Sequence, residues 1–325
     1  MISLLVSVSL LGLLTAMFMA PLETLGWWAG WYGDEGETRP EPGGPAPYRN
    51  FGEVPADSNR HFVVFLDGIA KVGDINYDEV QVLLDDLAAR VPGAVVLGDV
   101  MPYSVLSQGL LQGRPLAGFW RLAFRLKQEG RAPLVNFMIN IRNLFQVLVA
   151  ADARYGPLFG QGEAAAILNS LGRHGYEVGE DTPVTLIGYS GGSQMALTAA
   201  PYLRTAVKGQ LNLISLGGVM ADEPGFMALD RVWQLQGSRD RLPDIIGVFF
   251  PGRWPLFRSS YWNRLKSEGR YERRLLPPIR HSGRGSYLDN DVTVWGKTPR
   301  EHTVQALAEV LQDIERHNPA SGGNG

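Results

Sequence analysis

The chain has 325 residues, a net charge of -3 and no cysteine. That length holds one large α/β domain with attachments. The small charge argues against a nucleic-acid partner, and the missing thiols exclude disulfides, thiolate metal sites and cysteine nucleophiles. Residues 1–20 are uncharged, and as a helix they extend about 30 Å, the thickness of a bilayer's hydrocarbon core. They predict a retained single-pass N-terminal membrane anchor. A cleaved signal peptide is the rival, but no Lys or Arg precedes the apolar run, and Phe18 and Ala20 make a poor small-x-small cleavage site. Trp27, Trp28, Trp31 and Tyr32 follow directly, as an aromatic belt at a membrane surface does, and complete an anchor segment over 1–32. The first basic residue after the span is Arg39, so no charge bias sets an orientation.

Residues 33–60 read as a linker, rich in Gly, Pro and acidic side chains from Gly33 to Pro47. Between 61 and 317 short apolar runs alternate with helical patterns: Phe62 to Leu66, Ala94 to Leu97, Val184 to Ile187, Leu211 to Leu216, Val232 to Leu235 and Arg274 to Ile279. Strands alternating with helices predict a mostly parallel sheet with helices on both faces. A helix over 77–90 has Asn76 as N-cap, and Val80, Leu83, Leu84 and Leu87 fall on one face. The last helix has Thr298 as N-cap, Pro299 at its first position and Glu301 closing a capping box. Residues 318–325 read as a flexible tail.

Chemistry concentrates at Val184 to Ala200, where an apolar strand meets Gly188-Tyr189-Ser190-Gly191-Gly192 and then small helix formers. Glycines two positions either side of a serine let strand and helix approach closely and lift the hydroxyl clear of a strained turn. The amide of Gly191, at the positive end of the new helix, offers a donor to a developing oxyanion. Here the chain resembles the α/β-hydrolase superfamily and its nucleophile elbow. The resemblance implies that the first visible strand corresponds to the family's third, with the antiparallel strands before it shortened or missing.

The resemblance further implies an acid and then a histidine, each in a loop after a later strand. Asp240, in Gly237-Ser238-Arg239-Asp240, stands at the acid position, with Asp222 and Asp244 as rivals and surface pairing to Arg239 or Arg241 as the plain alternative. His281, just after Arg274 to Ile279, stands at the base position, with His302 second, while His61, His174 and His317 lie at strand or helix ends. Leu66-Asp67-Gly68-Ile69 looks like the His-Gly-x loop of lipases and esterases with aspartate in place of histidine. The amide of Ile69 would then be the second oxyanion donor.

Two insertions depart from the minimal fold. Over about 100–160, Pro133 opens a helix whose Asn136, Asn140 and Asn143 form a polar stripe, either an ordinary buried helix or a wall of an acyl pocket. Over 242–272, lying where a lid would, Ile245 to Phe257 form an apolar run. From Arg239 to Arg284 eleven basic residues face four acidic ones, interleaved with Trp254, Tyr261, Trp262 and Tyr271. That pattern suits an anionic membrane surface, or equally a solvated face over buried aromatics.

Together these features predict a membrane-anchored serine hydrolase that cleaves an ester, an acyl lipid, through an acyl-enzyme, with no metal or organic cofactor. Thioesterases and acyltransferases use the same constellation. A catalytically silent binding or assembly module on the same fold is the non-enzymatic alternative, and Asp67 in the oxyanion loop is the feature that most encourages it.

Overall fold

A computed structural model describes residues 60–69, 78–100, 102 and 133–317, with 7 and 11 in isolation. The expected membrane anchor, the aromatic segment behind it, nearly all of the linker and the 318–325 tail lie outside the described residues, as do Asn76 and most of the stretch from 101 to 132. Among the described residues no helix is long and apolar enough to cross a membrane.

The elements run β1 (His61–Leu66), α1 (Asp78–Arg90), β2 (Ala94–Leu97), α2 (Pro133–Ala150), α3 (Gly156–Arg173), β3 (Val184–Tyr189), α4 (Gly192–Arg204) and β4 (Leu211–Leu216). They continue with α5 (Gly225–Ala228), β5 (Arg231–Gly237), α6 (Leu242–Phe249), α7 (Tyr261–Ser267), β6 (Tyr271–Leu276) and α8 (Pro299–Arg316). The six strands form one sheet in the order β2-β1-β3-β4-β5-β6, parallel at every pairing. Because successive side chains of a strand point to opposite faces, β1 sends Phe62, Val64 and Leu66 into one apolar core and Val63 and Phe65 into the other. The first core is closed by α3, α4 and Trp262 and Leu265 of α7, the second by α1 and α8. Strands buried on both faces favour apolar residues throughout, which is why β1 and β3 read as largely apolar runs, whereas β4 also buries Asn212 and Ser215. A parallel six-stranded sheet with helices on both faces is the architecture that the elbow motif implies.

The last helix keeps its expected start: Thr298 Oγ1 accepts from the Glu301 amide and Glu301 accepts from the Thr298 amide. The last strand does not keep its expected limits. It covers Tyr271–Leu276 rather than Arg274 to Ile279, because Pro277 and Pro278 have no amide hydrogen to give the ladder. As an edge strand bonded only to β5 it leaves Arg273 exposed, which hides it from a search for apolar runs.

The order of strands places the site. The chain leaves β1 for β2 on one side and returns to β3 on the other, so the loops after β1 and β3 diverge at the carboxyl edge of the sheet, where open α/β sheets hold their ligands. Leu66 pairs with Gly188, which sets residues 67–69 beside residues 189–191.

Candidate active site

Ser190 sits in the turn from β3 into α4 with φ of 53°, a left-handed conformation costly for any residue with a Cβ and held only where the surroundings enforce it. They do. A Cβ on Gly188 would lie 2.4 Å from Ser193 Cα, and one on Gly192 would lie 2.1 Å from the Leu66 carbonyl oxygen. The turn is pinned by the Ser190 amide donating to Leu216 O at 3.0 Å and by Ser193 Oγ donating to Gly188 O at 2.7 Å.

The structure brings the three sequence-predicted groups into one line. Ser190 Oγ lies 2.9 Å from His281 Nε2, and His281 Nδ1 lies 2.9 Å from Asp240 Oδ2. An ionised carboxylate accepts only, so Nδ1 carries the proton and Nε2 presents its lone pair to the serine hydroxyl. The Asp240 side chain is wholly buried and that of His281 is 22% exposed, which leaves the imidazole reachable while its partner is shielded. Asp240 Oδ1 accepts from the Leu242 amide at 3.0 Å, the first residue of α6.

The rival residues are occupied elsewhere. Asp222 Oδ1 accepts from the Trp262 amide at 2.8 Å, and Asp244 Oδ2 accepts from Gln236 and faces Arg273 at 3.1 Å. His61 bonds Thr185 Oγ1 at 2.8 Å, and His302 bonds the Val294 carbonyl at 2.7 Å. The rings of His174 and His317 bond carbonyls one turn back in their own helices, Ser170 and Asp313.

On the other side of Ser190 lies the loop after β1. Asp67 is 5% exposed, and its Oδ1 accepts from the Gly68 amide at 2.7 Å. The Ile69 carbonyl accepts from Asn143 Nδ2 of α2 at 2.7 Å. Asn143 belongs to the asparagine stripe. Its fully buried amide holds the residue whose own N–H is the candidate oxyanion donor, which gives one polar position of that stripe a definite role. Ile69 also packs against a buried apolar cluster of Val147, Ala150, Phe159 and Met195, drawn from α2, α3 and α4, which fixes the loop from its other side.

Two tyrosines complete the frame, and motif reading missed the roles of both. Tyr287, fully buried, donates to Asp240 Oδ2 at 2.7 Å and accepts from the Gly237 amide at 2.9 Å. Tyr189 donates to the His281 carbonyl at 3.0 Å, and its ring stacks on the imidazole at 6.2 Å. Burial, and in both cases the charge of Asp240, pushes these phenols above their ordinary range, so both stay neutral donors. Nothing in sequence spacing marks Tyr287, which lies six residues past the histidine in a Gly- and Ser-rich loop. Tyr287→Phe removes a donor from Asp240 and strands the buried Gly237 amide. It is expected to cost about 1–3 kcal/mol of stability and to lower kcat roughly tenfold at unchanged KM, as measured by urea unfolding and steady-state kinetics.

A second carboxyl lies under α4. Thr198 Oγ1 donates to Glu223 at 3.0 Å, and Gln194 Nε2 donates to its other oxygen. Burial, reinforced by Asp222, pushes Glu223 up to about 7. A carboxyl raised from its ordinary 4.5 holds its proton more tightly when folded. Its favourable contribution is therefore full below pH 4.5 and is lost as pH rises through about 7. Glu223→Gln is expected to gain Tm relative to the unaltered protein as pH rises across that window. Parallel Tm profiles for the two proteins would refute it.

Among the described residues no group of three or more His, Asp or Glu is arranged to hold a metal ion. No protein-family model matches the chain, and no curated protein matches it. Among solved structures it is similar to an arylesterase at 12% identity, covering 79% of this chain and 76% of that chain with a TM-score of 0.38. It is similar to a lipase-esterase related protein from Clostridium acetobutylicum at 13% identity, covering 79% and 96% with a TM-score of 0.36. A lipase/esterase from Lactobacillus plantarum shares 11% identity over 82% of this chain and 91% of its own, with a TM-score of 0.34. These likenesses are too slight to bear on substrate or mechanism.

Proposed function

We propose that the protein is a serine hydrolase that cleaves a carboxylic ester, an acyl lipid, through an acyl-enzyme on Ser190, and that residues 1–20 hold it on a membrane. The single observation that carries the chemistry is the hydrogen-bonded line Ser190–His281–Asp240. A serine hydroxyl needs a base within reach to become a nucleophile, and that base needs a partner that keeps it in one tautomer. In the reaction Ser190 Oγ attacks the ester carbonyl while His281 Nε2 takes its proton. The amides of Gly191 and Ile69 donate to the oxyanion. Collapse expels the alcohol, which receives the proton from His281, and water repeats the sequence on the acyl-enzyme. Asp240 keeps Nδ1 protonated and stabilises the imidazolium as it forms.

The acyl preference rests on the exposed apolar residues from Ile245 to Phe257 that follow Asp240. The membrane preference rests on the uncharged run of residues 1–20. A fluorophosphonate probe tests the chemistry directly: the native chain is expected to label and Ser190→Ala not to. Hydrolysis rates over an ester series of increasing acyl length test the acyl preference, with the longer chains favoured. One observation favours a silent binding module, the buried Asp67 carboxylate one residue from Gly68, because negative charge near an oxyanion opposes it. A folded chain whose Ser190 stays unlabelled would decide for that module.

A further inference from the structure

The triad uses Asp240 but none of the apolar side chains that come after it in the chain. Helix α6 begins two residues on and carries Ile245, Val248 and Phe249 at helical spacing on one face, 52%, 63% and 73% exposed. The next turn adds Trp254, Leu256 and Phe257, with Leu256 81% exposed. Trp254 Nε1 donates to the Val248 carbonyl at 3.0 Å, and its ring meets Phe257 at 6.3 Å. Helix and turn therefore form one continuous apolar ridge whose indole donor is already satisfied. Large side chains standing this far out of a folded surface, side by side, mark a face that meets something apolar.

Charge identifies what it meets. Arg239 and Arg241 flank the start of the ridge and Arg258 its end, all three exposed. Among the described residues no acidic side chain pairs with any of them, whereas Arg264, Arg270, Arg273 and Arg274 are all committed to carboxylates. An apolar strip rimmed by unpaired guanidinium groups matches the acyl and headgroup layers of an anionic bilayer. The ridge follows β5 at the carboxyl edge of the sheet, where Ser190 also lies, so a bilayer touching it faces the edge from which an acyl substrate would arrive.

We infer that the ridge from Ile245 to Phe257, rimmed by Arg239, Arg241 and Arg258, docks the domain onto an anionic lipid surface. This rests on the proposed anchoring at a membrane and not on chemistry at Ser190. The cysteine-free sequence allows the test. In the full chain, Leu256→Cys carries an environment-sensitive fluorophore. Val178→Cys, on an exposed residue before β3 at the opposite edge, serves as control. Each is mixed with nanodiscs of phosphatidylcholine alone or with phosphatidylglycerol, both containing a spin-labelled quencher lipid. Quenching at 256 but not at 178 is expected, stronger with the anionic lipid and weakened by salt. Arg→Gln at 239, 241 and 258 should loosen docking roughly fivefold per cation removed.

Equal quenching at the two sites, or quenching indifferent to lipid charge and salt, would overturn the inference. Shielding of the 256 label that grows with protein concentration and needs no lipid would also overturn it and make the ridge a contact between copies. Fluorophosphonate labelling in the same samples separates the two readings. Labelling without docking removes only the lipid face, and docking without labelling removes only the hydrolase.

Discussion

Ser190→Ala is expected to abolish fluorophosphonate labelling and to lower kcat for ester hydrolysis by roughly 10⁴ to 10⁶, leaving Tm nearly unchanged. The hydroxyl's hydrogen bond is to His281, whereas the turn is held by the Leu216 and Gly188 carbonyls, so removing the oxygen leaves the fold its supports. Members of a serine triad act as a unit, so under the proposed mechanism Ser190→Ala combined with His281→Ala should be no slower than either alone. Asp240→Asn, which presents an amide where Nδ1–H needs an acceptor, is expected to lose about 10⁴ in kcat by the tautomer argument that holds for other serine triads. Independent, multiplying losses, or a Ser190→Ala protein with most of its rate, would mean that these three side chains meet without acting together.

Gly192→Ala should be strongly destabilising for a single added methyl. The new Cβ would lie 2.1 Å from Leu66 O and 2.7 Å from Asp67 O. Both are backbone atoms at the end of a central strand, with no rotamer to swing aside. Either α4 or the end of β1 must shift, and we expect a loss of about 3 kcal/mol or more, read from the urea midpoint at unchanged m. Activity should fall further than stability predicts. The same shift separates residues 67–69 from the elbow and pulls the Ile69 amide away from that of Gly191. A fully stable Gly192→Ala protein would show that strand and helix are less tightly apposed than these distances require.

The site was legible to the extent that its chemistry is written in local pattern. The elbow declares itself because glycine is required at 188 and 192 and an apolar strand must precede it. Asp240 and His281 were found because each follows a strand, although the strand before His281 lay three residues earlier than its apolar residues suggested. Asn143 stood out as polar on an apolar helix, but its bond to Ile69 crosses 74 positions and no spacing rule reaches that far. Tyr287, 47 positions from Asp240, has no signal in its neighbours at all.

By itself, then, the sequence determined the strand and helix alternation, the strained serine turn and the capped last helix. These follow from steric limits and side-chain periodicity within a few residues. Only the tertiary structure decided which buried donors hold the acid, what steadies the oxyanion loop, and which apolar residues after Asp240 stay outside the core. Those outcomes depend on packing between segments distant in the chain, where a hydrogen bond forms because two elements converge and not because of what stands beside each residue in sequence.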